Sequence, residues 1–154
     1  MNIALGQKAD YAIRAVLELG RAGERRKSRE IAAAMAIPET YLPQVLGLMV
    51  KAGLVRSTAG PDGGYSVARD PAAISVLQVV EAADGPIQSA TCVLRGGPCR
   101  WNEACALHEP WFRAQEALRE QLGATTFADL IKRDRALEAA AGRRRSRAPR
   151  EPAT

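Results

Sequence analysis

The sequence predicts a mainly α-helical domain with one small β-hairpin. Its 154 residues, 47% hydrophobic and 25% charged, are typical of one globular domain with an added element or tail. Aromatic residues make up only 5%, while Ala, Leu, Glu and Arg recur in long stretches, which favours helices. A single loop rich in Gly, Pro and Asp separates two short stretches of β-type residues. This length excludes a large enzyme fold such as an α/β barrel.

Three helices are predicted in the first third of the chain. Apolar residues at helical spacing predict the first helix over 10–21. Ser28 is a suitable N-cap for a second helix over 29–35. A third helix over 38–51 begins at a proline, whose missing N–H costs nothing in a first turn, and ends at Gly53.

A β-hairpin follows the third helix. Strands over 54–58 and 65–68 flank the turn 59–64, whose Gly, Pro and Asp residues favour a tight reversal. The order helix, helix, turn, helix, hairpin is that of a winged helix-turn-helix. We therefore expect residues 1–86 to form a DNA-binding domain. Some protein-binding modules share this order, so the pattern alone leaves that alternative open.

The rest of the chain is predicted to be helical around one loop. Ser75, followed three residues later by a glutamine, begins a fourth helix with a capping box. A loop over 87–109 contains all three cysteines. Two helices fill 110–140: a proline opens the first, over 110–122, and Thr126 caps the second.

The net charge of +5 is unevenly distributed. Residues 1–69 contain ten basic and six acidic side chains, and residues 142–154 contain five arginines and one glutamate. The segment 141–154 has too little apolar surface to fold, so we expect a basic disordered tail, either a solvated extension or an attractor of phosphate. No apolar run of about 18 residues and no secretory signal is present, which predicts a cytoplasmic protein with no membrane partner.

The predicted third helix carries the side chains expected to read DNA bases. A major groove admits one helix, and residues near its N-terminus reach the base edges. Gln44 can pair with adenine through two hydrogen bonds, and Thr40 can contact a base or a thymine methyl group. Tyr41 either donates to a phosphate or packs against the first helix.

Phosphate contacts are expected from two other places. Ser28 and Arg29 lie at a helix N-terminus, which attracts anions. Arg25, Arg26 and Lys27 just before them either strengthen this attraction or form a solvated turn. The hairpin turn has no Lys or Arg, so Arg56 and Arg69 in the strands are expected to contact phosphates instead. The predicted DNA-binding residues are Ser28, Arg29, Glu39, Thr40, Tyr41, Gln44, Arg56 and Arg69.

Four possible metal ligands fall within 17 residues: Cys92, Cys99, Cys105 and His108. An odd cysteine count argues against a disulfide framework. Three thiolates and an imidazole can hold zinc or an iron-sulfur cluster. The gaps of six and five residues are longer than those of usual zinc motifs, which favours the bulkier cofactor. Inert thiols in a loop are the alternative.

The segments DYAIRAVLEL, IPETYLPQVL and GPDGGY, together with Cys-x6-Cys-x5-Cys-x2-His, resemble the Rrf-two family of bacterial transcriptional regulators over residues 1 to about 135. The resemblance implies a homodimeric winged helix that binds a double-stranded DNA operator. Helix 38–51 enters the groove, and helix 110–122 is a dimerisation helix that crosses its twofold mate. The cysteine loop then holds an iron-sulfur cluster near that interface.

The family divides over the fourth ligand of its cluster. His108 matches the histidine of members with a 2Fe-2S cluster, whereas Asp10 matches an aspartate that other members contribute from the partner subunit to a 4Fe-4S cluster. We favour His108 and a 2Fe-2S cluster, because His108 completes the set of four ligands without a side chain from the partner subunit. Asp10 is then an exposed carboxylate of the first helix or its N-terminal cap.

The expected function is therefore regulation of transcription by a cluster that responds to redox state, nitric oxide or iron-sulfur status. A zinc site or direct thiol sensing on the same fold is the alternative. An enzyme is not expected, because the chain has no Cys-x-x-Cys pair and only one histidine.

Overall fold

The computed structural model describes residues 4–87, 92, 94, 98 and 105–147. In the described residues, six α-helices and one two-stranded antiparallel sheet are present, with a short 3-10 turn before the fourth helix. In chain order the elements are α1 (Gln7–Ala22), α2 (Ser28–Met35), α3 (Leu42–Lys51), β1 (Val55–Thr58), β2 (Gly64–Val67), the 3-10 turn (Pro71–Ala73), α4 (Val76–Asp84), α5 (His108–Ala124) and α6 (Phe127–Arg147).

The first two helices begin earlier than their sequence patterns predict. Helix α1 starts three residues before the predicted Asp10, whose N–H donates to the carbonyl of Gly6 at 3.0 Å. Ser28 is the first residue of α2 and not its cap. The N-cap is Lys27, whose N–H donates to the Glu30 carboxylate at 2.7 Å. Glu30, the third residue of the helix, thus accepts from the backbone N–H of the cap residue, as the third residue of a capping box does.

Helix α3 begins at Leu42, four residues after the predicted Pro38. Residues 38–41 form a turn in which the Tyr41 N–H donates to the Pro38 carbonyl at 3.0 Å. This start places Pro43 in the first turn, where a missing N–H breaks no helical hydrogen bond. The helix ends at Lys51, and Gly53 follows with φ +70°, as the sequence predicted.

The predicted hairpin is confirmed, although β1 starts one residue later than predicted and β2 is shifted by one residue toward the turn. Val55 pairs with Val67 at the base, and Thr58 pairs with Gly64 at the turn. A third segment joins the sheet: the N–H of Arg26 donates to the carbonyl of Tyr65 at 2.9 Å, and the reverse bond is 2.8 Å. This pairing brings the connection between α1 and α2 against the wing.

Capping boxes begin α4 and α6, as predicted. The Ser75 hydroxyl accepts from the Gln78 N–H at 3.2 Å, and the Gln78 side chain accepts from the Ser75 N–H at 2.9 Å. At α6, the Asp129 carboxylate accepts from the N–H and hydroxyl of Thr126 at 3.0 and 2.7 Å. These hydrogen bonds lower the pKa of Asp129.

The start of α6 belongs to the core of the winged domain. The Phe127 N–H donates to the Ile74 carbonyl, and the Val76 N–H donates to the Thr125 carbonyl, both at 2.9 Å. The Phe127 side chain is completely buried and belongs to the same hydrophobic core as the buried residues of α1, α3 and α4. The sequence boundary at residue 86 therefore misses a core residue that lies 41 positions later. The largest buried side chains are Phe127, Leu19, Ile31, Leu42, Leu46, Met49, Leu54 and Ile74.

The last two helices are longer than predicted. Helix α5 begins at His108, so this histidine is helical and not part of the cysteine loop. Helix α6 runs to Arg147, which corrects the prediction of disorder for residues 141–147. Arginine and alanine are good helix formers, and one glycine costs only about 1 kcal/mol. Within residues 4–87 and 105–147, none of the helices combines the length and apolar character needed to cross a membrane.

We expect Phe127→Ala to lower the free energy of unfolding by about 3–5 kcal/mol, because it leaves a cavity in the core of the winged domain. Leu137→Ala is the control in the same helix, since Leu137 is 63% exposed and its truncation is expected to cost less than about 0.5 kcal/mol. Urea denaturation followed by circular dichroism measures both. Equal effects of the two variants would show that α6 does not fold with the winged domain.

Candidate nucleic-acid interface and cysteine segment

One side of α3 is buried and the other faces outward. Its apolar side is formed by Leu42, Val45, Leu46 and Met49. Gln44, Gly47 and Lys51 follow the i, i+3, i+7 spacing of one outward stripe, and all three are exposed. A Cβ added at Gly47 would meet no heavy atom within 4 Å. No other part of the described protein therefore covers this side of the helix, and a binding partner can approach its backbone closely. The sequence reasoning identified Gln44 but missed its two neighbours, although helical spacing was sufficient to find them.

The residues just before α3 lie in a turn and not on the helix. Glu39 and Thr40 are exposed at this turn. The Tyr41 ring packs edge-on against Tyr11 of α1, with ring centroids 5.8 Å apart and an interplanar angle of 70°. Tyr41 remains 37% exposed, so its position combines packing against α1 with access from the outer surface.

The N-terminus of α2 presents a mixture of charges. Ser28 is half-buried and Arg29 is exposed. The carboxylate of Glu30 accepts from the Lys27 N–H. This places a negative charge at the helix end that is predicted to attract a phosphate. Anion binding at this terminus therefore depends on the cations around it.

The wing carries its cations at the base of the hairpin and from a neighbouring segment. Arg56 and Arg69 are exposed, and Arg69 donates to the Gly53 carbonyl at 3.4 Å. Arg25 donates through Nη1 to the carbonyl of Asp62 at the turn, at 2.9 Å. The sequence reasoning grouped Arg25 with the start of α2, because no local signal indicates that it crosses to the wing.

Asp10 is paired within its own helix. Both of its carboxylate oxygens accept hydrogen bonds from the Arg14 guanidinium, and these bonds raise the pKa of Arg14 above its usual value. Arg14 also donates to the Met35 carbonyl at the end of α2, at 3.0 Å, and lies 5.4 Å from the centre of the Tyr11 ring. Asp10 is therefore part of a contact between α1 and the helix-turn-helix.

The cysteine segment is described at Cys92 and at its C-terminal end, while Cys99 lies outside the described residues. Cys92 and Cys105 are half-buried. The carbonyl of Cys105 accepts from the N–H of His108 at 3.0 Å, so the two residues enclose the turn that leads into α5. A helix N-terminus stabilises a thiolate, the form that binds a metal. In the described part of the chain, no three His, Cys, Asp or Glu side chains form a metal-binding group.

Glu81 of α4 connects this segment to α5. Its carboxylate accepts from the Ile87 N–H, where the cysteine segment begins, and from the Arg119 guanidinium, each at 3.4 Å. Arg119 lies on α5, so one carboxylate contacts both the start of the segment and the helix that follows it.

A family model described as Rrf2, an iron-dependent transcriptional regulator, matches residues 5–133. The chain belongs to the Rrf2 family. An HTH-type transcriptional regulator of Mycobacterium tuberculosis is 34% identical over 128 residues, which cover 82% of this Rrf2 protein and 80% of the relative. The regulator IscR of Escherichia coli is 29% identical over 148 residues, covering 95% and 91% of the two chains.

Solved structures of Rrf2 proteins share the fold. CymR, the global cysteine regulator of B. subtilis, is 28% identical with a TM-score of 0.71, and the match covers 85% of this chain and 98% of CymR. IscR of T. potens, at 24% identity and a TM-score of 0.70, covers 87% and 90% and supports the fold alone. Rrf2 relatives are DNA-binding transcription regulators, in agreement with the prediction that this chain is not an enzyme.

We expect Gln44→Ala to relax base preference at one position of the bound sequence by about 1–3 kcal/mol, because it would remove the bidentate contact to adenine predicted for this side chain. Selection of bound duplexes from a randomised DNA library measures the preference. Gln121→Ala is the matched control, since Gln121 is an exposed helical glutamine on α5. An unchanged selected sequence for Gln44→Ala would contradict the assignment of a base contact to this side chain.

Proposed function

We propose that this Rrf2 protein is a homodimer that binds a near-palindromic operator with an affinity controlled by an iron-sulfur cluster. The observation that carries the proposal is the hydrogen-bonded turn that places Cys105 and His108 together at the N-terminus of α5. At the start of the same segment, the N–H of Ile87 donates to Glu81 of α4. The IscR relatives and the iron-dependent description of the family support the same function.

The residues that would hold the cluster are Cys92, Cys99 and Cys105, with a fourth ligand from His108 or from Asp10 of the partner subunit. Three thiolates with an imidazole or carboxylate are a suitable donor set for such a group. Half-burial of Cys92 and Cys105 limits access of water to two of the donors. A bound cluster would supply an iron centre that reacts with oxygen or nitric oxide and is lost when iron is scarce.

The Asp10 contacts favour His108 as the fourth ligand, and so a 2Fe-2S cluster. Both oxygens of Asp10 accept hydrogen bonds from Arg14. Binding iron would compete with these bonds and weaken the hold of Arg14 on its own helix. His108 requires no such exchange with Arg14, and it lies three residues from Cys105 on the same chain.

The surface of α5 supports a dimer. In the described chain this helix has 17 residues and none of them is buried. Phe112 is 46% exposed and Leu118 is 38% exposed, while Leu107 just before the helix is 39% exposed. Exposed apolar surface of this kind is typical of a site that a partner covers. A second copy of α5, crossing the first, is the partner we propose.

Regulation requires that the cluster favours one placement of the two recognition helices α3 over another. A coupling of about 1–3 kcal/mol would change operator affinity by roughly 5- to 150-fold. The segment that carries the proposed ligands leads directly into α5. Loss or alteration of the cluster would therefore shift α5, the helix that we propose as the dimer contact. That contact in turn sets the spacing of the two α3 helices.

Direct thiol sensing is the second candidate. It is favoured by the structural similarity to CymR, the global cysteine regulator of B. subtilis. Cys105 precedes the positive end of a helix, where a thiol is more readily ionised and more reactive. A zinc site on the same residues is a related alternative, and metal analysis separates all three.

Protein purified without air is expected to contain iron and acid-labile sulfide, and Cys99→Ala is expected to lose most of both. We also expect His108→Ala to lower the iron content more than Asp10→Ala does. Circular dichroism of each variant checks that the fold is retained. A greater loss in Asp10→Ala would support a ligand from the partner subunit, and wild-type protein without iron or sulfide would contradict the cluster.

Leu118→Arg is expected to weaken self-association by at least about tenfold, because it places an unpaired charge in an apolar contact. Sedimentation equilibrium measures the dissociation constant of the dimer. Leu137→Arg is the matched control, because Leu137 is an exposed leucine on α6. If both variants remain as dimeric as the wild type, α5 is not the dimer contact.

A further inference from the structure

We propose that Arg25, from the connection between α1 and α2, is the cation with which the wing binds the phosphate-lined minor groove of DNA. The inference rests on the DNA-binding function proposed above. It assigns the wing contact to a residue that lies outside the hairpin and more than 30 positions before its turn.

The turn of the wing has no cation of its own. Residues 59–64 contain neither Lys nor Arg, and they include Asp62, which is exposed. A carboxylate at the point of closest approach is repelled by phosphates and by the negative potential of a minor groove. A wing of this sequence therefore needs a positive charge from elsewhere to contact DNA.

The arginines of the hairpin itself lie away from the turn. Arg56 is opposite Ser66 in the strand register, two residues before the pair formed by Thr58 and Gly64. Arg69 follows β2 and donates to the Gly53 carbonyl at the base of the hairpin. Both can contact phosphates beside the wing, but neither places its charge at the turn.

Backbone pairing brings the α1–α2 connection beside the wing. The two hydrogen bonds between Arg26 and Tyr65 form an isolated antiparallel bridge between this connection and β2. This approach requires a glycine at position 64, because a Cβ there would lie 2.5 Å from the Arg26 carbonyl oxygen. The same position has φ +150°, which glycine adopts without strain. Arg25 precedes the bridge, and its Cγ lies 3.3 Å from the position of such a Cβ, so its side chain lies against Gly64 beside the turn.

The Arg25 side chain is then fixed over the turn. Its Nη1 donates to the backbone carbonyl of Asp62 at 2.9 Å, while the residue as a whole is exposed. A guanidinium has five N–H donors in a planar fork, and this bond uses one of them. The charge is therefore held at the residue whose carboxylate would repel DNA. Because this bond already orders the Arg25 side chain in the free protein, binding DNA costs less side-chain entropy.

The test measures the salt dependence of binding to a mixed-sequence duplex by fluorescence anisotropy, with the full-length protein. Each phosphate contact contributes about 0.9 to the slope of log affinity against log salt. We expect Arg25→Ala to lower the slope by about 0.9 per protomer and the affinity by roughly tenfold at low salt. Arg133→Ala removes the same charge from an exposed position on α6 and is expected to change neither quantity.

Two further variants separate a DNA contact from a structural role. Arg25→Ala combined with Ala59→Arg returns a cation to the exposed turn without the Asp62 bond, and we expect it to recover most of the lost slope. Asp62→Asn keeps the carbonyl that Arg25 uses and removes the repelling charge, so it is expected to bind DNA more tightly than the wild type.

The outcomes are distinguishable. If the wild type binds no duplex at any salt concentration, the proposed DNA-binding function fails. If the wild type binds and Arg25→Ala binds with the same slope, only the role of Arg25 fails. If Arg25→Ala loses the slope but Ala59→Arg restores none of it, Arg25 acts by shaping the wing, and the proposed contact is wrong.

Discussion

The packing of α1 is the constraint on which the rest of the structure depends. Its buried residues are Ala9, Tyr11, Ala12, Ala15, Val16 and Leu19. Helices α2, α3, α4 and α6 and strand β2 all contact this one helix. At Gly20 a Cβ would lie 2.8 Å from the Ile131 side chain, so the close fit of α6 depends on the absence of a side chain there. A densely packed helix with this many neighbours transmits a displacement of one element to the others.

Polar contacts at the two ends of α1 extend this arrangement. Near the N-terminus, Arg14 joins Asp10 to the last residue of α2, whose carbonyl it contacts. Near the C-terminus, Arg21 bonds to Asp134 and Glu138 of α6, and the bond to Glu138 contributes most to raising the pKa of Arg21. One helix thus contacts the turn before the recognition helix at one end and the C-terminal helix at the other. A displacement of α5 or α6 is therefore transmitted to α3 through the packed helices α4 and α1.

Local signals in the sequence predicted most of the fold. The capping boxes at Ser75 and Thr126, the stop at Gly53 and the hairpin are each specified by residues a few positions apart. The start of α3 was wrong because both Pro38 and Pro43 are compatible with a first turn, and only packing selects between them. Burial of Phe127 and the contact between Arg25 and the wing join distant parts of the chain. No periodicity or motif records such a contact.

The candidate sites divide in the same way. The sequence supplied the four clustered donors and the outward Gln44, because residue type and spacing are sufficient for both. It could not indicate that Asp10 is bonded to Arg14 or that His108 begins a helix, since these facts depend on side-chain partners and on where a loop ends. Residue types and their spacing therefore predict candidate ligands and base contacts from the sequence alone. The neighbours that modify those side chains become known only from the structure.

If the cysteine segment regulates DNA binding, operator affinity depends on the iron that the segment holds. This affinity can be measured for a single preparation purified without air, before and after a chelator removes iron, at one fixed salt concentration. We expect a change of roughly 5- to 150-fold that is absent in Cys99→Ala. Equal affinities of the loaded and stripped wild-type protein would contradict it.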